Sequence, residues 1–150
     1  MLLFNVACES EDDDMEEMVA LPAAVEDFIA ANYAEYEIDE SESDSLCTGE
    51  AVFEVELEKN DDDELELTFD SEGNLLFTSV EIETSALPTA VSNSIATNYP
   101  DYQIDEVERL DLVNGETQYE VEIENDPSFL ELLMAADGTV ICEEVDDDDE

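Results

Sequence analysis

The stretch that opens Leu21-Pro22-Ala23-Ala24-Val25 and closes Tyr33-Ala34-Glu35-Tyr36-Glu37-Ile38-Asp39-Glu40 returns in register, 66 positions later, as Leu87-Pro88-Thr89-Ala90-Val91 and Tyr99-Pro100-Asp101-Tyr102-Gln103-Ile104-Asp105-Glu106. The register holds through Gly49-Glu50 against Gly115-Glu116, and Phe53, Val55 and Leu57 against Tyr119, Val121 and Ile123. Gly73 then matches Gly138 at an offset of 65. A period of this size means two copies of one supersecondary unit, so each element found in one half is expected in the other. Units of about 65 residues bury a thin core alone, so the copies are expected to share one. The organisation reads as a signal remnant and acidic tether over 1–20, a first copy over 21–84, a second over 85–145 and an acidic tail over 146–150.

Within each copy the hydrophobic period changes once. Leu21, Ala24, Val25, Phe28 and Ile29 recur at helical spacing, and Leu87, Ala90, Val91, Ser94 and Ile95 repeat the stripe with Ser94 weakening it. Proline is favoured at the first helical position, where its missing N–H would lack a partner, and Pro100 is expected to stop the second helix near Tyr99. Beyond the helices Phe53, Val55 and Leu57 alternate with Glu54, Glu56 and Glu58, and Leu65 and Leu67 with Glu64 and Glu66. Tyr119, Val121 and Ile123 alternate with Glu120, Glu122 and Glu124, while Leu130, Leu132 and Met134 flank Glu131 and Leu133. Such alternation marks strands with one buried face. Asp70-Ser71-Glu72-Gly73 and Asp137-Gly138 have hairpin-turn chemistry. With a first strand near 36–41 or 102–112 and a last near 75–82 or 139–145, each copy reads as a helix followed by four antiparallel strands. The fold class is α+β, with helices on one face of the sheet and glutamates on the other.

Charge excludes whole classes of partner. Lys59 and Arg109 are the two basic side chains among 150 residues, against 47 acidic ones, for a net charge of −45 without any histidine. Phosphate binding runs on Lys and Arg, so nucleic acid is not a partner. A hydrophobic content of 43% with clear period argues for folding rather than acidic disorder. Self-repulsion makes the fold firmer where counterions screen it, and either a saline habitat or a cation-collecting surface would account for the bias.

No stretch approaches the roughly 18 apolar residues of a membrane-spanning helix. The start, Met1-Leu2-Leu3-Phe4-Asn5-Val6-Ala7-Cys8, is like the end of a secretory signal, and Val6-Ala7-Cys8 resembles the end of a bacterial lipobox with Cys8 as the lipidated residue. Asn5 departs from the usual leucine. The acidic run Glu9 to Asp14 resembles a tag for export to the outer face of the outer membrane. The alternative is an ordinary thiol at a loose terminus. A diacyl anchor at Cys8 would hold the protein at a bilayer.

Catalysis has little to work with, since histidine is absent and no nucleophile has a recognisable base beside it. No catalytic residue, cofactor or metal site is assigned. Cys47 and Cys142 are expected as two free, partly buried thiols, with a disulfide as the alternative in an exported protein. The runs Asn60 to Glu64 and Asp146 to Glu150 lack the ligand spacing and glycine of a calcium loop, leaving at most weak, diffuse Ca2+ association. Tyr33, Tyr36, Tyr99 and Tyr102, placed alike in both copies, read as packing residues where helix meets sheet.

The informative arrangement is the alternation. Glu54, Glu56, Glu58, Glu64 and Glu66 with Glu120, Glu122, Glu124 and Glu131 are expected to share the sheet face opposite the helices. Like charges opposed across strands are destabilising, so that face calls for counterions or a basic partner protein.

The order Leu-Pro, Tyr99-Pro100-Asp101-Tyr102-Gln103-Ile104, Tyr119-Glu120-Val121-Glu122-Ile123 and Asp137-Gly138-Thr139-Val140 resembles the PepSY-like family, also described as β-lactamase-inhibitor-like, over both copies from Leu21 to Val145. The first copy departs in having Ala34 where the family tends to have proline. The resemblance implies the tandem helix-plus-four-strand fold of certain inhibitors and export in bacteria, often as a lipoprotein. It implies no established activity, and an inhibitor role would rest on analogy alone. The expected function is a non-enzymatic, exported binding module of the cell envelope, periplasmic or anchored at the outer membrane, with its acidic sheet face on a cationic partner. A cation-binding or salt-adapted structural protein is the alternative.

Overall fold

A computed structural model describes residues 18–60 and 63–146. Cys8, most of the expected tether, Asp61, Asp62 and the end of the acidic tail lie outside those residues. Helix α1 (Ala23–Asn32) is followed by strands β1 (Glu37–Ser45), β2 (Ala51–Glu58), β3 (Glu64–Asp70) and β4 (Leu75–Glu81). A short 3-10 turn (Thr84–Ala86) leads to α2 (Thr89–Asn98) and to β5 (Gln103–Leu112), β6 (Thr117–Asn125), β7 (Ser128–Ala135) and β8 (Val140–Asp146). Each helix starts one residue after its proline. Extended Pro22 and Pro88 instead supply the first carbonyls, accepting from Val25 and Glu26 and from Val91 and Ser92. The helices close where Tyr33 and Tyr99 donate back to Ile29 and Ile95.

All eight strands form one antiparallel sheet in sequence order. The copies join through β4 and β5, with Phe77 opposite Leu112, Ser79 opposite Leu110 and Val80 opposite Arg109. Sharing a sheet did not produce the expected shared core. Val25 and Ile29 of α1 pack on Val55, Leu57, Leu67 and Phe69, whereas Val91 and Ile95 of α2 pack on Val107, Val121, Ile123, Leu132 and Met134. A ten-residue helix is about 15 Å long and covers only its own few strands. Both helices lie on the same face, because the cross-strand register carries Leu67 through Thr78 and Asp111 in one row, and Arg109 through Tyr119 to Met134 in the next.

The β3–β4 and β7–β8 hairpins dock on the helices through their glycines. Gly73 and Gly138 have φ of +85° and +88°, and a Cβ at Gly138 would stand 2.5 Å from the Ala90 carbonyl oxygen. The tyrosines pack as expected, Tyr33 edge-on to Tyr36 at 6.0 Å and Tyr99 to Tyr102 at 6.2 Å, beside the two cores. Cys47 and Cys142 form a disulfide with Cα atoms 6.3 Å apart, which replaces the expected pair of free thiols. The turn carrying Cys47 and the strand carrying Cys142 belong to opposite ends of the strand order, so the linear spacing gave no sign that they meet.

Candidate functional site

Alternation along each strand puts every second side chain on the face away from the helices, and the register aligns the two copies there. Glu42, Glu54, Thr68 and Phe77 form one cross-strand row in β1 to β4. Glu108, Glu120, Leu133 and Cys142 form the corresponding row in β5 to β8. A second pair of rows runs Glu40, Glu56, Glu66, Ser79 and Glu106, Glu122, Glu131, Glu144.

This face is not the open platform that alternation alone suggests. Seven inter-strand steps of about 4.8 Å would separate the edges of a flat eight-stranded sheet by about 34 Å, yet the Cys47 turn beyond β1 reaches Cys142 of β8. Right-handed twist coils the sheet, and the glutamate face becomes the inside of a concavity of about 810 Å³.

Of the nine expected glutamates, Glu54, Glu66, Glu120 and Glu131 line this main concavity. Glu56 and Glu64 line a groove beside it, and Glu122 a smaller recess at its margin. Glu58 and Glu124 stand near the ends of β2 and β6, at the edge of the same face. Glu108 and Glu144 were not anticipated and also line the concavity. Glu108 was legible, because the repeat offset of 66 carries Glu42 to Glu108, and Glu106-Val107-Glu108 brackets a core valine.

Electrostatics follows from burial without a base nearby. Burial first, then the charges of Glu66, Asp44, Glu42 and Glu108, push Glu54 up to about 8. Burial, then Glu131, Glu108, Glu66 and Glu54, push Glu120 to about 8. Glu108 rises to about 7, mainly from burial and then Glu66, against a lowering hydrogen bond from Ser79. Burial also raises Glu66, whose Oε1 accepts from Ser79 Oγ at 3.0 Å and so is partly held down. Glu54 and Glu120 sit on β2 and β6, about 19 Å apart in a flat sheet, and they interact because the sheet is coiled. Neither basic side chain relieves this charge: Lys59 is paired with Glu35 at 2.6 Å and Arg109 with Asp111 at 2.9 Å.

The concavity also has an apolar wall beside its polar lining of Asp44, Thr48, Glu50, Asn114 and Gln118. Phe77, Leu110, Leu112 and Leu133 line it at concave-face positions where these strands break the acidic alternation. Among the described residues, no three acidic or cysteine side chains are grouped so as to hold a metal ion, and no helix is long and apolar enough to cross a membrane.

The model of the family described as "beta-lactamase-inhibitor-like, PepSY-like" matches residues 9–77 and again 77–141. No curated protein matches the chain. Several solved structures share its fold. A BLIP-like protein from Bacteroides fragilis is 20% identical at a TM-score of 0.58, with 92% of this chain and 95% of that one covered. A DUF2874 family protein from Bacteroides uniformis is 15% identical at 0.61, covering 84% and 90%. A protein from Bacteroides eggerthii, described as a candidate periplasmic protein, is 12% identical at 0.62, covering 85% and 90%.

Proposed function

The chain belongs to the PepSY-like, beta-lactamase-inhibitor-like family, and from that premise we propose that it is a non-enzymatic, exported binding module whose concave acidic sheet face receives a basic partner protein. The observation that carries the reading is the convergence of Glu54, Glu66, Glu108 and Glu120 on one cavity to which the chain offers no base of its own. Burying like charges together costs stability, and a partner bringing Lys or Arg would offset that cost and be steered by the field.

Export is supported by the lipobox-like Val6-Ala7-Cys8, by the Cys47–Cys142 disulfide, which persists in oxidising compartments, and by the periplasmic description of a structure of like fold. A lipid anchor at Cys8 belongs to the same proposal. The want of histidine and of any activated nucleophile supports a binding role over catalysis.

The test is capture from bacterial envelope extract on the immobilised, oxidised chain. We expect a basic protein retained in low salt and released in high salt, and lost when Glu54 and Glu120 are both changed to Gln. Absence of any salt-sensitive partner, or one retained equally by the double variant, would overturn the proposal.

A further inference from the structure

The concavity has two chemistries side by side. Glu54 and Glu120 face it from β2 and β6, Glu66 and Glu108 from β3 and β5, and Phe77, Leu110, Leu112 and Leu133 supply an apolar wall. A free metal ion would leave that wall uncovered, and no grouping suited to one is present among the described residues. A polyamine would set charges against the leucines.

Thr68 adds an independent sign of an absent polar group. It is 0% exposed, its Oγ1 has no hydrogen-bond partner, and its register between Glu54 and Phe77, which both line the concavity, places it on the concave side of the sheet, beneath them. A buried hydroxyl without a partner is costly, and an N–H donor that parts the Glu54 and Phe77 side chains over it would satisfy it.

We propose that the concavity is a pocket for a single alkylammonium group, its head between Glu54, Glu120 and the Thr68 hydroxyl and its carbon stem along Phe77, Leu110 and Leu133. This rests on the binding reading given above and names the chemistry of its centre. The volume of about 810 Å³ falls in the range of about 300–1,000 Å³ typical of ligand sites. A compact ammonium on a flexible stem suits it better than a planar guanidinium, which needs a fixed fork of acceptors. The group could come from a free amphiphilic amine or from a partner's lysine beside an apolar residue. Because Glu54 and Glu120 hold protons near neutrality, its arrival should release protons.

Calorimetry of the full oxidised chain at pH 7 and low salt, in two buffers of different ionisation heat, tests this. Octylamine and a capped Leu-Lys-Leu peptide are compared with methylamine and spermidine. We expect saturable one-to-one binding of octylamine, the peptide or both, at least tenfold tighter than either comparison amine, with a buffer-dependent heat showing proton release. Binding should weaken at least fivefold in Glu120→Gln and in Thr68→Val. Octylamine alone binding points to a free amine, and the peptide binding points to a partner's lysine.

Methyl NMR on the unaltered chain guards against variants that fail to fold, with shifts expected at Leu110, Leu112 and Leu133. No binding by either probe, equal affinity for methylamine, or shifts confined to the helix-covered face would overturn the inference. The first of these alongside a salt-sensitive partner in the capture experiment would sink the pocket and leave the binding role standing. Octylamine binding with no captured partner would do the reverse.

Discussion

Cys47, in the turn after β1, is joined to Cys142 of β8 across 95 residues of sequence, with Cα atoms 6.3 Å apart. The two edge strands do not hydrogen-bond to each other, so this bond is the covalent link that holds the coiled sheet shut over its acids. Closing a loop of this length removes much unfolded-state entropy, about 2–4 kcal/mol in typical measurements. Cys142→Ser, or reduction of the native chain, is therefore expected to lower unfolding stability by that order in denaturant titration. The same change should let the acidic face open, seen as a larger radius of gyration at low salt than at high salt. Unchanged stability after verified reduction would mean that the sheet keeps its curvature without the clamp.

Four glycines take a positive φ, but their surroundings differ. Gly115, at +89°, has nothing near the space a Cβ would fill, whereas at Gly138 that Cβ would meet the Ala90 carbonyl of α2. Gly115→Ala should cost about 1 kcal/mol, the backbone effect alone. Gly138→Ala should cost at least about twice that, since the β7–β8 hairpin must also lift from the helix. Equal midpoints for the two variants in urea would show that the hairpin does not rest on α2.

The pair of helices, the eight strands and the identity of the buried face were legible because period and repeat act locally: Val55 and Leu57 declare their side by their neighbours. The curvature was not. It depends on summed strand twist and on Cys47 meeting Cys142, and neither leaves a mark on residues near in sequence. For the same reason the glutamates read only as one face of a sheet calling for counterions or a partner, although coiling carries Glu54 and Glu120 toward one another. The apolar wall was hidden too. Leu133, between Leu132 and Met134, only looked like an interruption of the alternation, and it lies opposite Glu120 and Cys142 on the concave side.

Thr68 offers a test free of charge effects. Its hydroxyl is buried without a partner, and an unsatisfied group of that kind costs about 1–3 kcal/mol. Thr68→Val, which keeps the branched shape suited to a strand, should raise the stability of the unliganded protein by about 1 kcal/mol, or about 2–4 °C in melting temperature for a chain of this size. A loss of stability would mean that the hydroxyl has a partner in solution.

The raised carboxyls also fix how stability depends on pH. In the unfolded chain a glutamate ionises near 4.5, while in the folded protein Glu54 and Glu120 hold their protons to about 8 and Glu108 to about 7. Between these limits the folded state binds more protons than the unfolded state, so unfolding free energy must fall as pH rises. The stabilisation is fully present below about 4.5 and is lost as pH passes through 7 to 8, opposite to a protein held by ion-paired carboxylates. Asp70 and Asp137 act the other way at the acid end. Hydrogen bonds involving Asn74 and Thr139 favour their ionised forms and hold both carboxyls below the ordinary carboxylate range, so their contribution fades as pH falls below that range. Together these place the stability maximum at about pH 4 to 4.5, with a decline of the order of a few kcal/mol by pH 8.5 at low salt. Added salt should flatten the alkaline side by screening the concavity. Chemical denaturation across pH 4 to 9 checks this, and Glu120→Gln, which cannot ionise, should remove a large share of the slope. A stability that rose steadily from pH 5 to 8 would show that the concave glutamates ionise as freely as those on an open surface.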